Sequence, residues 1–200
     1  MYSRYRQSTV IITGSFLLLS CASAPHTPDA NLIASAVSRP LAANFGPARL
    51  LLQSIDSSWQ GQTKRVLCQI ELNQAHLAMA AVNEQSLSLF NLIYNGKDLS
   101  LTASPLLNYP LTATSMVADF QLSVWPASLL KQALPNEWQL QIRPHLRQLF
   151  YRQTLIAEAQ YPDLDSVADN PLWQQHIKLH NYQYHYQLDI SPLQHELLPE

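Results

Sequence analysis

A cysteine near the amino terminus has the surroundings that most clearly predict chemistry. Cys21 follows Ser20 and an apolar run at residues 10–19. The start of the chain carries Arg4 and Arg6. A basic start, a short apolar core and a small residue before a cysteine are typical of a cleaved bacterial lipoprotein signal, and the run is too short for a permanent membrane span. We therefore expect cleavage after Ser20, a diacylglyceryl group on the Cys21 thiol and acylation of the new amino terminus.

The residues after this cysteine bear on localisation. Ala22 and Ser23 follow Cys21. In enterobacterial-type sorting, an aspartate at this place retains a lipoprotein at the inner membrane. Its absence predicts a lipid-anchored chain on the periplasmic face of the outer membrane. The alternative is an ordinary secretory signal cut at Ala22 or Ala24.

Histidines and aspartates near the carboxyl end are the candidates for metal binding. His176 and His180 share one face of a predicted strand, and no cysteine or carboxylate joins them at ligand spacing, so we interpret them as a solvated polar face. The other candidates are His185 and the loop residues Asp163, Asp165 and Asp169. We predict that the chain has no metal site.

Motifs for catalysis are missing from the chain. The sequence contains 4 glycines, without a phosphate-binding loop, a dinucleotide fingerprint or a G-x-S-x-G elbow. We therefore predict no catalytic residues and no cofactor, and a protein that is not an enzyme. A triad assembled from distant residues would leave no such motif.

A basic stripe is a candidate contact for lipid phosphate or an acidic ligand. Arg143, His145 and Arg147 would share a face if one strand ran through Pro144. Proline favours a strand edge or a break instead, so both interpretations stay open.

Three tyrosines alternate near the carboxyl end. Tyr182, Tyr184 and Tyr186 would line one face of a strand at residues 182–190. Such a face is either the core side of a last strand or an aromatic wall for a flat or acyl ligand.

Composition limits the classes of function. Charged residues make up 13% of the chain and the formal net charge is −2. A nucleic-acid partner would require a basic surface, so we predict none. Cys68 lies in an alternating run, and we interpret it as a buried apolar residue.

Prolines and small residues suggest the domain boundaries. We predict a signal peptide at residues 1–20, a lipidated cysteine with a flexible tether at residues 21–46, and a folded domain at residues 47–192. A short tail at residues 193–200 would follow.

Short alternating segments dominate this domain. Residues 66–72 alternate with period two, and Asn95-Gly96 between apolar runs predicts a hairpin with a two-residue turn. Residues 87–94 carry apolar side chains on both faces, so this strand is covered on both sides or bulged.

The middle of the chain predicts helices. Residues 114–125 place Val117 and Phe120 at helical spacing, with Thr114 or Ser115 as the cap, and Pro126 begins a second short helix. Strands before and after a helical pair predict a mainly β (α+β) fold, an open antiparallel half-barrel with a central helical lid.

One segment carries a resemblance to a known family. Residues 119–126 (DFQLSVWP), residues 147–150 (RQLF) and the ending with Asn181, Leu188 and Ile190 resemble a family of uncharacterised bacterial outer-membrane lipoproteins. The resemblance covers about residues 48–191. This family is known as a domain of unknown function associated with aryl-polyene-type synthase genes. Its fold is similar to that of LolA and LolB, which implies an unclosed barrel with a helical lid over an apolar cavity.

These observations predict a lipoprotein that binds or transfers a hydrophobic ligand in this cavity. The ligand would be an acyl, polyene or lipoprotein moiety. The alternative is a structural or accessory lipoprotein that scaffolds a membrane-bound synthase or export complex. The predicted cavity residues are Phe90, Leu92, Tyr94, Phe120, Trp125, Tyr182, Tyr184 and Tyr186.

Overall fold

A computed structural model describes residues 37–107, 111–164 and 172–199. Cys21, the predicted signal peptide and the first part of the predicted tether lie outside these residues, as do Asp165 and Asp169. The elements, in chain order, are β1 (Arg49–Trp59), β2 (Gln62–Leu72), β3 (Leu77–Asn83), β4 (Ser88–Tyr94), β5 (Leu99–Ala103), α1 (Ala113–Val124), α2 (Ala127–Ala133), β6 (Trp138–Arg143), β7 (Leu146–Tyr151), β8 (Thr154–Gln160), β9 (Ile177–Asn181) and β10 (Tyr186–Leu197).

The strands form one open antiparallel sheet in the order β5-β4-β3-β2-β1-β10-β9-β8-β7-β6. The first and last strands pair at its centre, where Ile55 lies opposite Ile190. The edge strands β5 and β6 are joined by the chain that carries both helices, so this connection crosses the whole width of the sheet. Helix α1 contacts β5 in one wing and β7, β8 and β9 in the other, which requires the sheet to curl around it. The predicted open half-barrel with a central helical lid is confirmed.

Period-two alternation sets the inner face of the sheet. In β2, Cys68, Ile70 and Leu72 are fully buried, whereas Gln69 between them is exposed. Because successive side chains of a strand point to opposite faces, this pattern turns one face toward the helices and the other toward solvent.

The β3–β4 hairpin explains the two-sided apolar pattern of residues 87–94. Ala81 pairs with Phe90 and Val82 pairs with Ser88, so Leu89 is the extra residue of a bulge. Of the two interpretations that the sequence left open, the bulge is therefore confirmed. The hairpin predicted at Asn95 is also present.

The Asn95 hairpin has a four-residue loop rather than a two-residue turn, because β4 ends at Tyr94 and β5 begins at Leu99. Gly96 adopts φ +90°, and the Asn95 side-chain oxygen accepts hydrogen bonds from the backbone N–H groups of Lys97 and Asp98 at 3.0 and 2.6 Å. These Asx bonds close the wider loop.

Helix α1 begins at a capping box. The Thr112 hydroxyl accepts a hydrogen bond from the Ser115 backbone N–H at 3.1 Å, and the Ser115 hydroxyl accepts one from the Thr112 N–H at 3.0 Å. The cap is therefore Thr112, not Thr114 or Ser115. All residues from Ser115 to Val124 are buried, so α1 is covered on every side.

The N-terminal segment (residues 37–46) supplies the layer that covers the outer side of α1. Arg39 and Ala42 are buried, and the Ala42 backbone exchanges two 2.8 Å hydrogen bonds with the Gln121 side chain. The packed chain therefore begins before residue 47, inside the predicted tether. It also extends past residue 192, since β10 continues to Leu197 along β1.

The predicted strand at residues 182–190 is shorter in the structure. Residues 182–185 form a turn between β9 and β10, so Tyr182, Tyr184 and Tyr186 do not share a strand face. Alternation through this turn imitates a strand because tyrosine is a strong strand former on either side of it. Within the described ranges, no helix is long and apolar enough to cross a membrane.

Candidate ligand cavity

A cavity of about 640 Å³ lies between α1 and the inner face of β1–β4 and β10. Ligand pockets in proteins span about 300–1,000 Å³ and are mostly apolar. Every second side chain of these strands points inward, and these inward side chains supply most of the wall. Among the lining side chains are Ile55, Val66, Met79, Phe90, Met116 and Ile190.

Charged side chains of both signs stand at the mouth of the cavity. Arg65 forms two 2.7 Å hydrogen bonds with the carboxylate of Asp56, and Lys64 and Glu84 lie at the same rim. Leu106 also lines the cavity, although this side chain is largely exposed. The rim therefore combines balanced charge with exposed apolar surface.

A buried polar network lies in the cavity wall below α1. Asp119, on α1, accepts hydrogen bonds from the Arg39 guanidinium and the Tyr186 hydroxyl. The Asn181 side-chain amide donates to both Asp119 oxygens at 3.3 and 3.2 Å. Burial, followed by the charge of Asp119, raises the pKa of Tyr186 well above its ordinary value, so this tyrosine stays protonated and donates.

This network joins three parts of the chain. Arg39 comes from the N-terminal segment, Asp119 from α1, and Asn181 with Tyr186 from the neighbouring strands β9 and β10. Buried charges are tolerated where they are paired and hydrogen-bonded, so each partner depends on the others.

An aromatic cluster (Phe45, Phe120, Trp125 and Trp173) closes the other end of the inner face. The rings of Phe45 and Trp125 meet edge to face with centroids 5.1 Å apart, and Phe45 stacks on Trp173 at 5.7 Å. The guanidinium of Arg49 lies 4.6 Å from the centroid of Trp173. The indole N–H of Trp125 donates to the Ala43 carbonyl at 3.1 Å.

Buried side chains from the sheet satisfy the C-terminal end of α1. Arg147 donates through Nη1 to the carbonyls of Trp125 at 2.5 Å and Leu122 at 3.3 Å, and the Tyr161 hydroxyl donates to the Ser123 carbonyl at 2.9 Å. A cation at this end complements the helix dipole. Of the two interpretations of residues 143–147, the break at Pro144 is confirmed and the shared basic face is wrong, because Arg147 is fully buried and His145 lies in the β6–β7 turn with φ +60°.

Only some of the sequence-predicted cavity residues meet at the cavity. Phe90, Phe120 and Tyr186 line it. Trp125 is fully buried in the aromatic cluster, and the Tyr94 hydroxyl donates to the Gly96 carbonyl at 3.1 Å. The remaining three residues also lie away from the cavity lining. Leu92 is in the hydrophobic core and Tyr182 stacks on His180. Tyr184 borders a separate surface cleft.

Sequence reasoning missed Arg39, Asp119, Asn181 and a buried glutamine, Gln53, which also lines the cavity. A signal existed for Asp119, which is the single charged residue in the segment Ala113–Val124. Arg39 had no local signal, because it lies in a proline- and alanine-rich stretch that is typical of a tether.

The other chemical candidates have structural partners. His176 bonds to Asp189 at 2.6 Å through Nε2 and approaches Asp163 at 3.5 Å through Nδ1, so it is not a simple solvated side chain. No three His, Cys, Asp or Glu side chains come together as metal ligands in the parts of the chain that the structure covers. Burial raises the pKa of the Cys68 thiol to about 12, so Cys68 is a packing residue of the cavity wall.

Comparison with known proteins gives one family and a distant structural likeness. A family model described as a protein of unknown function (DUF3261) matches residues 50–194. No curated protein matches the chain. A crystal structure described as an outer membrane lipoprotein-sorting protein domain from Vibrio parahaemolyticus is similar with a TM-score of 0.42 and 7% identity, over 78% of this chain and 89% of that one.

Proposed function

The chain belongs to this family of proteins of unknown function (DUF3261), and we propose that it is a non-enzymatic outer-membrane lipoprotein that holds a hydrophobic ligand. The ligand is an acyl chain, a polyene or the lipid moiety of a lipoprotein. It occupies the cavity between α1 and the sheet, and the lipid on Cys21 keeps the domain at the periplasmic face of the membrane.

The observation that carries this proposal is the apolar cavity itself. The same inner face that packs against aromatic rings at one end borders about 640 Å³ of open space at the other. Apolar surface that leaves water contributes about 25 cal/mol per Å². A hydrophobic ligand that covers these side chains therefore supplies stabilisation that the chain does not supply on its own.

Saturable binding of a fluorescent fatty acid tests the proposal. The chain from Ala22 onward removes only the predicted signal and Cys21, and therefore keeps every described residue. We expect this chain to bind the probe with one site and with fluorescence that reports an apolar environment. Displacement by unlabelled acyl or polyene competitors then ranks the natural ligand classes.

A matched pair of variants on β2 locates the binding site. Val66 lines the cavity, whereas Leu67 points to the opposite face of the same strand and is 40% exposed. Val66→Trp should weaken probe binding at least tenfold by filling the cavity, and Leu67→Trp should leave it unchanged. Equal binding by both variants, or no saturable binding by the unaltered chain, favours the scaffold function over a ligand carrier.

The lipid anchor has its own test. Two or more acyl chains make membrane binding stable, because each buried CH₂ contributes about 0.8 kcal/mol. We expect the intact protein in the outer-membrane fraction and Cys21→Ser either as an uncleaved precursor or in the soluble periplasm. Intact protein that is soluble without detergent would contradict the anchor.

A further inference from the structure

A glutamine occupies an inner position of the sheet where its neighbours are apolar. Gln53 lies on β1 between the inward positions of Leu51 and Ile55, is 3% exposed and lines the cavity. Its partner across the strand pair is Cys68, which is also buried. Within residues 37–107, 111–164 and 172–199 the Gln53 side chain has no hydrogen-bond partner, and its amide atoms remain accessible from the cavity.

An amide that faces an apolar cavity without a protein partner calls for an explanation. A glutamine side chain offers two N–H donors and a carbonyl acceptor, and most buried polar groups in proteins are hydrogen-bonded because burial without a partner is unfavourable. A leucine here would fit the alternation of β1 without this cost. A bound molecule with a polar group at this depth would supply the missing partner.

The charges around Gln53 indicate a neutral molecule. Asp119, a buried carboxylate that also lines the cavity, already bonds to Arg39, Tyr186 and Asn181. The cations that line the cavity, Lys64 and Arg65, stand at the mouth beside acidic side chains. A carboxylate placed next to Gln53 would lose its hydration without meeting a free cation, which is strongly unfavourable.

We propose that the amide of Gln53 hydrogen-bonds to the carbonyl group of a neutral acyl amide or ester, so that the cavity selects these lipids over free fatty acids. This inference rests on the proposed function and names the ligand class of the same cavity. The hydrocarbon chain then lies along Ile55, Val66 and Leu188 toward the mouth. An amide is the better fit, because it can exchange two hydrogen bonds with the glutamine.

Competition among ligands that share one hydrocarbon chain tests this selection. The competitors are dodecanamide, methyl dodecanoate and dodecanoate, each displacing the fluorescent acyl probe from the chain that begins at Ala22. In the unaltered chain we expect the amide to compete about tenfold better than the carboxylate, which is the effect of about one net hydrogen bond. The ester should fall between them.

Two substitutions with the same chemistry assign the effect to Gln53. Gln53→Leu should lower the preference for the amide about tenfold while the probe itself still binds. Gln69→Leu makes the same change on the exposed face of the neighbouring strand and should preserve the preference. Gln53→Met repeats the test with an unbranched side chain of similar volume.

Thermal unfolding separates a ligand contact from a structural role. Gln53→Leu should keep or raise the melting temperature, because it removes an unpaired amide from the inner face. A lower melting temperature with an unchanged ligand preference would overturn the proposal, as would equal competition by amide and carboxylate in the unaltered chain. Failure of the unaltered chain to bind any probe would instead contradict the proposed function itself.

Discussion

The two ends of the inner face differ in what covers them, although the same strands form both. Near Leu51 the sheet is sealed by the aromatic cluster, which takes rings from the N-terminal segment, α1 and the chain before β9. Near Ile55 the same strand faces the cavity. The sheet alone therefore does not decide whether its inner face is a packed core or an open cavity; the covering layer does.

A polar network lies between these two ends. Asp119 and Tyr186 border the cavity on one side and, through Arg39, hold the N-terminal segment that helps to seal the other. The sealed end should therefore account for most of the stability, and the open end for ligand binding. Substitutions that act differently at the two ends test this division.

The largest expected effect is at the sealed end. Trp125→Ala removes a fully buried indole and its hydrogen bond to Ala43. We expect unfolding free energy to fall by about 3–5 kcal/mol, measured by urea denaturation. An unchanged midpoint would show that the aromatic cluster is not a stabilising core.

Loss of the buried ion pair should have an effect of similar size. Arg39→Ala leaves Asp119 buried without its cation, which typically costs about 3–5 kcal/mol. The double variant with Asp119→Ala should recover part of this loss, since it removes the uncompensated charge. Additive losses in the double-mutant cycle would mean that the two side chains act independently.

The same substitution at each end compares them directly. Leu51→Ala, at the fully buried sealed end, should cost about 2–5 kcal/mol in urea denaturation. Leu188→Ala should cost about half as much, because Leu188 is only half-buried and already borders the cavity. Only the Leu188 variant should weaken binding of the acyl probe. Equal losses of stability would remove the distinction between the two ends.

Alkaline pH should loosen the network between the ends. The folded state holds the Tyr186 proton more tightly than the unfolded state, since burial and Asp119 raise its pKa. Its contribution is complete below about pH 10 and declines as pH rises toward the higher folded pKa, by up to about 1.4 kcal/mol per pH unit.

Tyr186→Phe isolates this contribution. The variant loses the hydrogen bond to Asp119, at about 1–3 kcal/mol, and its stability should decline less steeply above pH 10 than that of the unaltered chain. Thermal unfolding measures the stability of both proteins across this pH range. If the two stabilities decline in parallel, the alkaline loss belongs to other tyrosines.

Local patterns predicted most of the elements. Alternation revealed β2, Asn95-Gly96 marked a hairpin, and the apolar residues on both sides of β4 anticipated its bulge. These features depend on residues close together in the sequence, so the sequence predicts them. It does not predict the turn at residues 182–185, because the tyrosines there continue the alternation of a strand.

The site depended on contacts between distant segments. Arg39 meets Asp119 from 80 positions away, and the segment that carries it looks like a flexible tether. The sequence leaves open whether Arg147 belongs to a basic stripe, whereas its position at the end of α1 makes it a buried partner of backbone carbonyls. Phe120 was predicted by its helical spacing, whereas residues 87–94 are apolar on both faces and their spacing did not distinguish Phe90 from its neighbours.

Native mass spectrometry of the chain from Ala22, purified from cells without added lipid, tests whether the cavity holds a lipid. We expect a population with one lipid bound, depleted in Val66→Trp and retained in Leu67→Trp. Fragmentation of the bound species would identify its hydrocarbon chain and head group. A protein that always has its bare mass, in the unaltered chain as in both variants, would contradict the proposed binding of a hydrophobic ligand.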